Sequence, residues 1–250
     1  MLYPLLAAAA NSPAATAYMR AAAQTAGRDK ACRLGQYFAR LVAHLLRARK
    51  GSAWLATLVR VQATLSTTRK ILRAGKFVDF LVQLIRGLQA RGVDEVERVL
   101  GAGHKAGMAA FMLADTLGVM HSPALALVQL RDAPLVARLA MRAWALALAS
   151  NLALGLYRLR AASLRAADVR RVRKHLEKDA DAMGHRECVA EEHAVAQRHA
   201  AALRLTLVSA LDLAIPTSAL GLLGINEGLV ALAGTVTSLM GIQDVVLSSS

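Results

Sequence analysis

The sequence is poor in the residues that build several common protein classes. Its two cysteines, Cys32 and Cys188, lie far apart and form no CxxC pair, which disfavours a disulfide framework and favours a reducing compartment. Only five residues are proline, 4% are aromatic, and no run of alternating β-branched residues occurs. Alanine and leucine, both strong helix formers, are abundant instead. We therefore predict an all-α fold.

Positive charge is abundant and unevenly placed. The chain carries a formal net charge of +14, although 56% of its residues are hydrophobic. Between Arg20 and Lys76, Asp29 is the one acidic residue among 13 Lys and Arg, whereas the rest of the chain is almost neutral. Basic and apolar character together suit an anionic membrane surface or a nucleic acid. Any electrostatic function is therefore expected in residues 20–76.

The first amphipathic segment follows a flexible lead-in predicted over residues 1–24. Residues 30–47 carry an apolar stripe on one side and basic residues on the other, at a helical spacing. Such a helix is typical of a membrane surface. The predicted membrane-inserting face consists of Leu34, Phe38, Leu41 and Leu45.

A second amphipathic segment follows Gly51 and completes a predicted basic unit over residues 25–92. Its apolar side holds Val78, Leu81, Val82 and Ile85 among others, and Gly75 is a weak point for the helix. Two interpretations stay open, a membrane-facing helix and a helix packed on a protein core. The predicted lipid-headgroup contacts of both segments are Lys30, Arg33, Arg40, Arg47, Arg69, Arg73 and Lys76.

Residues 93–200 are expected to form apolar middle helices followed by a charged linker helix. Segment 106–130 is mainly apolar and is interrupted by Asp115. Segment 143–157 has no charge, but a bilayer span needs about 20 residues, so a short span, a core helix and an interfacial helix all remain open. Residues 169–200 mix both charge signs and suit a solvated helix or linker.

Residues 201–250 form the clearest membrane candidate. Between Leu205 and Val246 the charged residues are Asp212, Glu227 and Asp244. Pro216 and the segment 224–228 are predicted to divide this stretch into a helical hairpin. The candidate helix-packing glycines are Gly224, Gly228, Gly234 and Gly241, with a turn the preferred role for the first two.

No motif supports catalysis or a cofactor. The sequence GAGHKAG at 101–107 lacks the spacing of a phosphate-binding loop, and a helix junction explains it as well. The potential metal ligands around Cys188, namely His185, His193 and His199 with Glu187, Glu191 and Glu192, match no zinc spacing. Nothing such as GxSxG positions a nucleophile. We predict that the protein is not an enzyme and has no cofactor or metal.

Three ordered patches carry a resemblance to a known family. The first runs from Gly27 through Asp29 and Lys30 to Tyr37, the second spans residues 66–76, and the third comprises Asp212-Leu213 with residues 228–243. Looser similarity lies at Ala114-Asp115 and residues 144–157. With these patches in this order, the chain resembles the peroxisomal biogenesis factor 11 family of peroxisomal and glycosomal membrane proteins.

The resemblance implies a membrane role. It implies insertion into a peroxisomal or glycosomal membrane, elongation of that membrane ahead of fission and proliferation, homo-oligomer formation, and cooperation with a dynamin-related GTPase and fission adaptors. We expect both termini on the cytosolic side. The basic amphipathic helix independently predicts contact with anionic phospholipid. The alternative function is a pore for small metabolites. A nucleic-acid binder using residues 20–76 is the third hypothesis, and we expect no nucleic-acid partner.

Overall fold

The chain is described here from a computed structural model covering residues 23–47, 53–123, 125–179 and 182–248, with the side chains of 176–185 left out of the description. Almost all of the predicted lead-in lies outside these residues. The described chain forms seven α-helices and no strand, which confirms the all-α prediction. The helices are α1 (Thr25–Arg47), α2 (Trp54–Leu72), α3 (Phe77–Gln89), α4 (Glu95–His121), α5 (Ala133–Asp179), α6 (Ala182–Ala219) and α7 (Glu227–Ser248).

The second amphipathic segment is two helices rather than one. Helix α2 ends at Leu72, and α3 begins at Phe77 after a short turn. Gly75 lies in this turn with a φ of 81°, in the left-handed region that favours glycine. The weak point anticipated at this glycine is therefore a complete helix break, which lets α2 and α3 take different partners.

Helix α4 passes through two features that the sequence suggested as interruptions. Asp94 caps its first turn by accepting hydrogen bonds from the backbone N–H groups of Val96 (2.9 Å) and Glu97 (3.2 Å). The helix then continues through residues 101–107 and through Asp115 before it ends at His121. The GAGHKAG segment is thus helix interior and not a loop.

The described part of residues 169–200, predicted as a solvated helix or linker, belongs to two long helices. Helix α5 has 47 residues and α6 has 38, and they pack along each other. Asn151 lies beside Ser209, Gly155 beside Thr206, and Val169 beside Cys188, so the two helices are antiparallel. The described part of residues 169–200 is therefore helical, the first of the two predicted alternatives, and Val169, Cys188 and Val195 form a small buried cluster between the helices.

The C-terminal hairpin is present, but proline does not divide it. Helix α6 continues through Pro216 to Ala219, and residues 220–226 make the turn to α7. The side chain of Pro216 is fully buried. Gly221, with a φ of 69°, takes the left-handed conformation at this helix end. The turn therefore includes residues 224–226 of the predicted bend but not Pro216.

The core joins the N-terminal and C-terminal parts of the chain. Helix α1 packs between α2 and α7, α3 packs on α4, and α4, α5, α6 and α7 follow one another as neighbours. Trp144 of α5 contacts both main apolar clusters and stacks on Phe111 of α4, with 5.0 Å between the ring centroids. The other cluster includes Tyr37 of α1 and Val230 of α7, so the basic unit and the hairpin form one packed structure.

Candidate membrane surface and buried charge network

A buried ion pair joins α1 to α2. The guanidinium of Arg69 donates from Nε to Asp29 Oδ1 at 3.1 Å and from Nη1 to Gln36 Oε1 at 2.8 Å. Asp29 and Arg69 are both buried. The Arg73 Nε atom lies 3.8 Å from the same carboxylate oxygen. Asp29, the one acidic residue of the basic region 20–76, is therefore paired inside the protein.

A second pair ties α2 to α4. Arg73 Nη2 donates to Asp115 Oδ2 at 2.6 Å, and Lys70 Nζ lies 3.6 Å from the other carboxylate oxygen. The Arg73 guanidinium also lies over the Phe111 ring, 5.8 Å from its centroid. Because Arg73 contacts both Asp29 and Asp115, it links α1, α2 and α4 into one charged cluster.

A third group ties α1 to the hairpin. Arg33 Nη2 donates to Asp212 Oδ1 at 2.5 Å and to Thr237 Oγ1 at 3.1 Å. The Thr237 hydroxyl donates to Asp212 Oδ1 at 2.6 Å. All three side chains are buried, so the charged groups from α1 and α6 satisfy each other away from solvent. We call the first two pairs and this group together the buried charge network.

The network changes the role of three predicted headgroup contacts. Arg33, Arg69 and Arg73 were expected at the lipid surface, but each guanidinium is held by a carboxylate inside the helix bundle. Their spacing places them on a polar helix face, but the acids that cover this face come from other helices and are distant in sequence. Their position is structural, because a buried and paired guanidinium has no free side for a phosphate.

The four other predicted headgroup contacts lie nearer the surface. Arg40 and Arg47 both donate to Glu227 at the start of α7, with N–O distances of 2.8 Å, and about half of the Arg47 side chain (52%) is exposed. Lys30 is half-buried, and this burial, reinforced by the charge of Arg33, lowers its pKa. Lys76 is half-buried at the start of α3. Headgroup contact by these four stays a prediction.

The predicted membrane-inserting stripe of α1 has no protein covering its outer positions. Phe38 is 57% exposed and Leu45 is 62% exposed, while Leu34 and Leu41 are half-buried. The buried side of α1, which includes Tyr37, packs on α7. Large exposed side chains in a row are unusual for a soluble surface and typical of contact with lipid or protein.

Helix α3 carries a second exposed stripe. Phe77 and Phe80 pack on the α4 cluster, whereas Val78, Leu81, Val82 and Ile85 are exposed. Asp79, Gln83 and Arg86 occupy the remaining side of the helix. The sequence left a core and a membrane interpretation open for this segment. The structure supports a part of each interpretation, because some apolar residues of α3 pack on the core and the others are exposed.

Three of the four candidate glycines lie where α7 meets α1. A Cβ atom at Gly228 would lie 2.6 Å from the His44 ring, one at Gly234 would overlap the Tyr37 ring, and one at Gly241 would lie 3.0 Å from the Lys30 side chain. Gly224 instead lies in the turn, with nothing within 4 Å of the corresponding position. Its packing assignment is therefore not supported, and the turn role that the sequence favoured remains.

Close helix approaches also explain the glycine-rich segment of α4. A Cβ atom at Gly103 would meet the Ser150 side chain at 2.8 Å, and one at Gly107 would meet the Ala143 carbonyl at 2.8 Å. These glycines let α4 approach α5 closely. Among the described residues, no group of three or more His, Cys, Asp and Glu side chains could hold a metal ion.

Among the residues that the structure describes, three helices are long and apolar enough to cross a membrane, over Ala133–His175, Arg186–Ala219 and Glu227–Leu247. Helix α7 exposes Leu229, Leu232, Val236 and Leu239 along one side, at the spacing of a single helix face. Its other side packs on α1 and α6. An apolar outer face with a polar, paired interior is the arrangement expected of a helix in lipid.

The chain matches a known protein family along most of its length. A sequence profile for Peroxisomal biogenesis factor 11 (PEX11) matches residues 15–246. The chain belongs to the PEX11 family. It is 28% identical over 233 residues to the peroxisomal membrane protein PMP27 of Saccharomyces cerevisiae, a match that covers 93% of this chain and 94% of that protein. No solved structure matches the chain.

PEX11 membership makes this a membrane protein of a peroxisomal biogenesis family, and that family is not known as an enzyme family. The network residues come from the separate patches on which the family likeness was read. Asp29 and Arg33 belong to the first, Arg69 and Arg73 to the second, and Asp212 and Thr237 to the third. Asp115 comes from the looser middle similarity. The fold brings these PEX11-like patches into contact through ion pairs.

The sequence interpretation missed the acidic partners. From the sequence, Asp115 interrupts an apolar segment, and Asp212 and Glu227 are isolated charges of the hairpin. In the fold each receives one or more basic side chains from the N-terminal part of the chain. A signal was present, because an isolated acid in an apolar helix has to find a partner when that helix is buried. The surplus of basic residues in 20–76 indicated where the partners would come from.

Proposed function

We propose that this protein elongates and remodels the peroxisomal membrane ahead of fission and proliferation by inserting exposed apolar stripes into one leaflet while the C-terminal hairpin anchors it. The observation that carries the proposal is the open stripe of α3 together with that of α1. Helix α3 has 13 residues and is about 20 Å long, too short to cross a bilayer. A short helix with one apolar side and one polar side lies in the membrane plane.

The energetics support insertion of both stripes. Full burial of a Val, Leu, Ile or Phe side chain contributes about 1.5–3 kcal/mol, so a half-exposed one gains about 1 kcal/mol when lipid covers it. Each Lys or Arg near an anionic leaflet adds about 1 kcal/mol. Side chains inserted into one leaflet expand that leaflet relative to the other, and this difference in area favours curvature.

The test uses the full chain reconstituted into vesicles that contain anionic phospholipid, with tubulation scored by electron microscopy. We expect Phe38→Glu and Val82→Glu each to reduce tubule formation. Val99→Glu is the matched control, because Val99 is 63% exposed on α4 and lies outside both stripes. Tubulation by both stripe variants at the wild-type level would refute the insertion mechanism.

The membrane topology and the partners are part of the same proposal. Cytosolic termini require an even number of membrane crossings. Homo-oligomers on the membrane would add the effect of many inserted stripes, and a dynamin-related GTPase with fission adaptors would act on the resulting tubule. Protease protection of tagged termini in isolated organelles tests the topology, and opposite sides for the two tags would refute it.

The alternative is a pore for small metabolites built by oligomerised helices. Its support is the presence of three span-capable helices, two of which hold buried polar side chains. Asp212 of α6 and Thr237 of α7 are bonded there to Arg33 of α1. Planar-bilayer recording separates the two functions, because inserted stripes alone give no conductance. Single-channel steps that Asp212→Asn alters would favour the pore.

A further inference from the structure

A cavity lies between α5 and α6, beside the first turn of α4. Its volume is about 690 Å³, within the size range of small-molecule sites. Small apolar side chains line most of it, including Ala161, Ala162, Ala201 and Ala202. Its charged lining consists of Glu97, Arg158, Arg165 and Arg198. None of the predicted site residues lies in this cavity.

The cavity is positioned where the apolar and charged halves of the two helices meet. Arg158 is the first charge of α5 after the uncharged segment 143–157, and Arg204 is the last charge of α6 before Asp212. Leu205, which lines the cavity, begins the apolar half of α6. With the apolar halves in lipid, the cavity lies at the depth of the headgroups.

Two of the three arginines that line the cavity form ion pairs, and the third does not among the described residues. Arg158 is paired with Glu97 at 2.7 Å, and Arg165 is paired with Glu191. Within the part of the chain that the structure describes, Arg198 makes no ion pair or side-chain hydrogen bond and is exposed. A free guanidinium beside an apolar hollow suits a ligand that has an anionic head and a hydrocarbon chain.

We propose that this cavity binds one anionic phospholipid molecule from the surrounding leaflet, with its phosphate on Arg198 and an acyl chain against the alanine-lined wall. The proposal deepens the membrane function above, because it depends on α5 and α6 entering the membrane. It differs from the inserted stripes, since α1 and α3 contribute no residue to the cavity. A bound lipid would fill the α5–α6 gap and fix the depth of these helices.

The test measures retained lipid on the full chain. The protein is reconstituted in nanodiscs of phosphatidylcholine and phosphatidylserine, released into mild detergent, and examined by native mass spectrometry. We expect one retained phosphatidylserine per chain and little phosphatidylcholine. Arg198→Gln should lower the retained fraction about tenfold, the typical effect of losing one charge-assisted hydrogen bond.

A second variant tests the acyl-chain part of the site. Ala201→Leu adds bulk to the cavity at an exposed position, so it should lower retention without unfolding the protein. Arg186→Gln and Ala190→Leu are matched controls, because both residues are exposed on α6 and line no part of the cavity. Both controls should retain the lipid as the wild type does.

Several outcomes would overturn the site. Equal retention of the two lipids, or equal losses in the Arg186→Gln control, would show general charge attraction. Displacement of the lipid by inorganic phosphate would show a headgroup pocket without a chain site, and unchanged retention in Ala201→Leu would show the same. A dimer that forms in the wild type and is lost in Ala201→Leu would show that a second copy of this chain, and not a lipid, occupies the cavity.

The outcome is separable from the proposed membrane function. Arg198→Gln and Ala201→Leu should tubulate vesicles as the wild type does, because the stripes of α1 and α3 are unchanged. Lipid retention without tubulation in the wild-type chain would refute the remodelling function and leave this site standing. Tubulation without selective retention would refute this site alone.

Discussion

Removing Arg33 should destabilise the protein strongly, because it would leave Asp212 charged and unpaired inside the helix bundle. The two side chains are less than 10% exposed and 2.5 Å apart. Loss of one partner from a buried ion pair costs about 3–5 kcal/mol. For a chain of this size that corresponds to a fall in Tm on the order of 10 °C. We expect this fall for Arg33→Leu.

The assay is thermal unfolding of the full chain in detergent, followed by circular dichroism. The control is Arg47→Leu, which breaks a half-exposed contact with Glu227 and should cost less than about 1 kcal/mol. The double variant Arg33→Leu with Asp212→Leu should recover much of the loss, because no charge is then left unpaired. Equal Tm changes for Arg33→Leu and Arg47→Leu would refute the assignment of Arg33 to the interior.

Other changes should separate packing, capping and surface effects in the same thermal assay. Gly155→Ala should lower Tm, because its Cβ atom would lie 3.0 Å from the Thr206 backbone nitrogen, whereas Gly87→Ala on exposed α3 should raise stability by up to about 1 kcal/mol. Asp94→Ala should cost about 1 kcal/mol through loss of the α4 cap, and an unchanged Tm would show that the cap is dispensable. Raising salt should weaken vesicle binding measured by flotation without abolishing it, since screening leaves the apolar term intact, and complete release would show purely electrostatic binding.

Local structure was predictable where it depends on local chemistry. The spacing of apolar residues in 30–47 and in the second amphipathic segment determines helices with two sides, and helices form over both, although the second segment divides into α2 and α3. Gly75 was recognised as a weak point for the same reason, since glycine adopts a positive φ at little cost. The prediction that Pro216 ends a helix was wrong. Pro216 lies inside the last turns of α6, and its ring is fully buried.

The buried charge network was not predictable from spacing alone. Arg33 and Asp212 are separated by 179 residues, so their pairing depends on how α1, α6 and α7 assemble. On an isolated helix, Arg33 and Arg40 look equivalent on one basic face. The fold distinguishes them, because Arg33 faces the α6 carboxylate in the interior while Arg40 reaches Glu227 at the less buried start of α7.

Helix α1 holds a position that connects membrane insertion to the anchor. Its inner side is fixed to α2 by Asp29 and to the hairpin by Arg33, while Phe38 and Leu45 remain open on the outer side. Under the proposed function, a helix held on one side would not sink freely into lipid, so insertion of its stripe would tilt the attached hairpin or bend the membrane. The buried charge network makes α1 part of the bundle, and this attachment is what would let an inserted stripe produce curvature as well as binding.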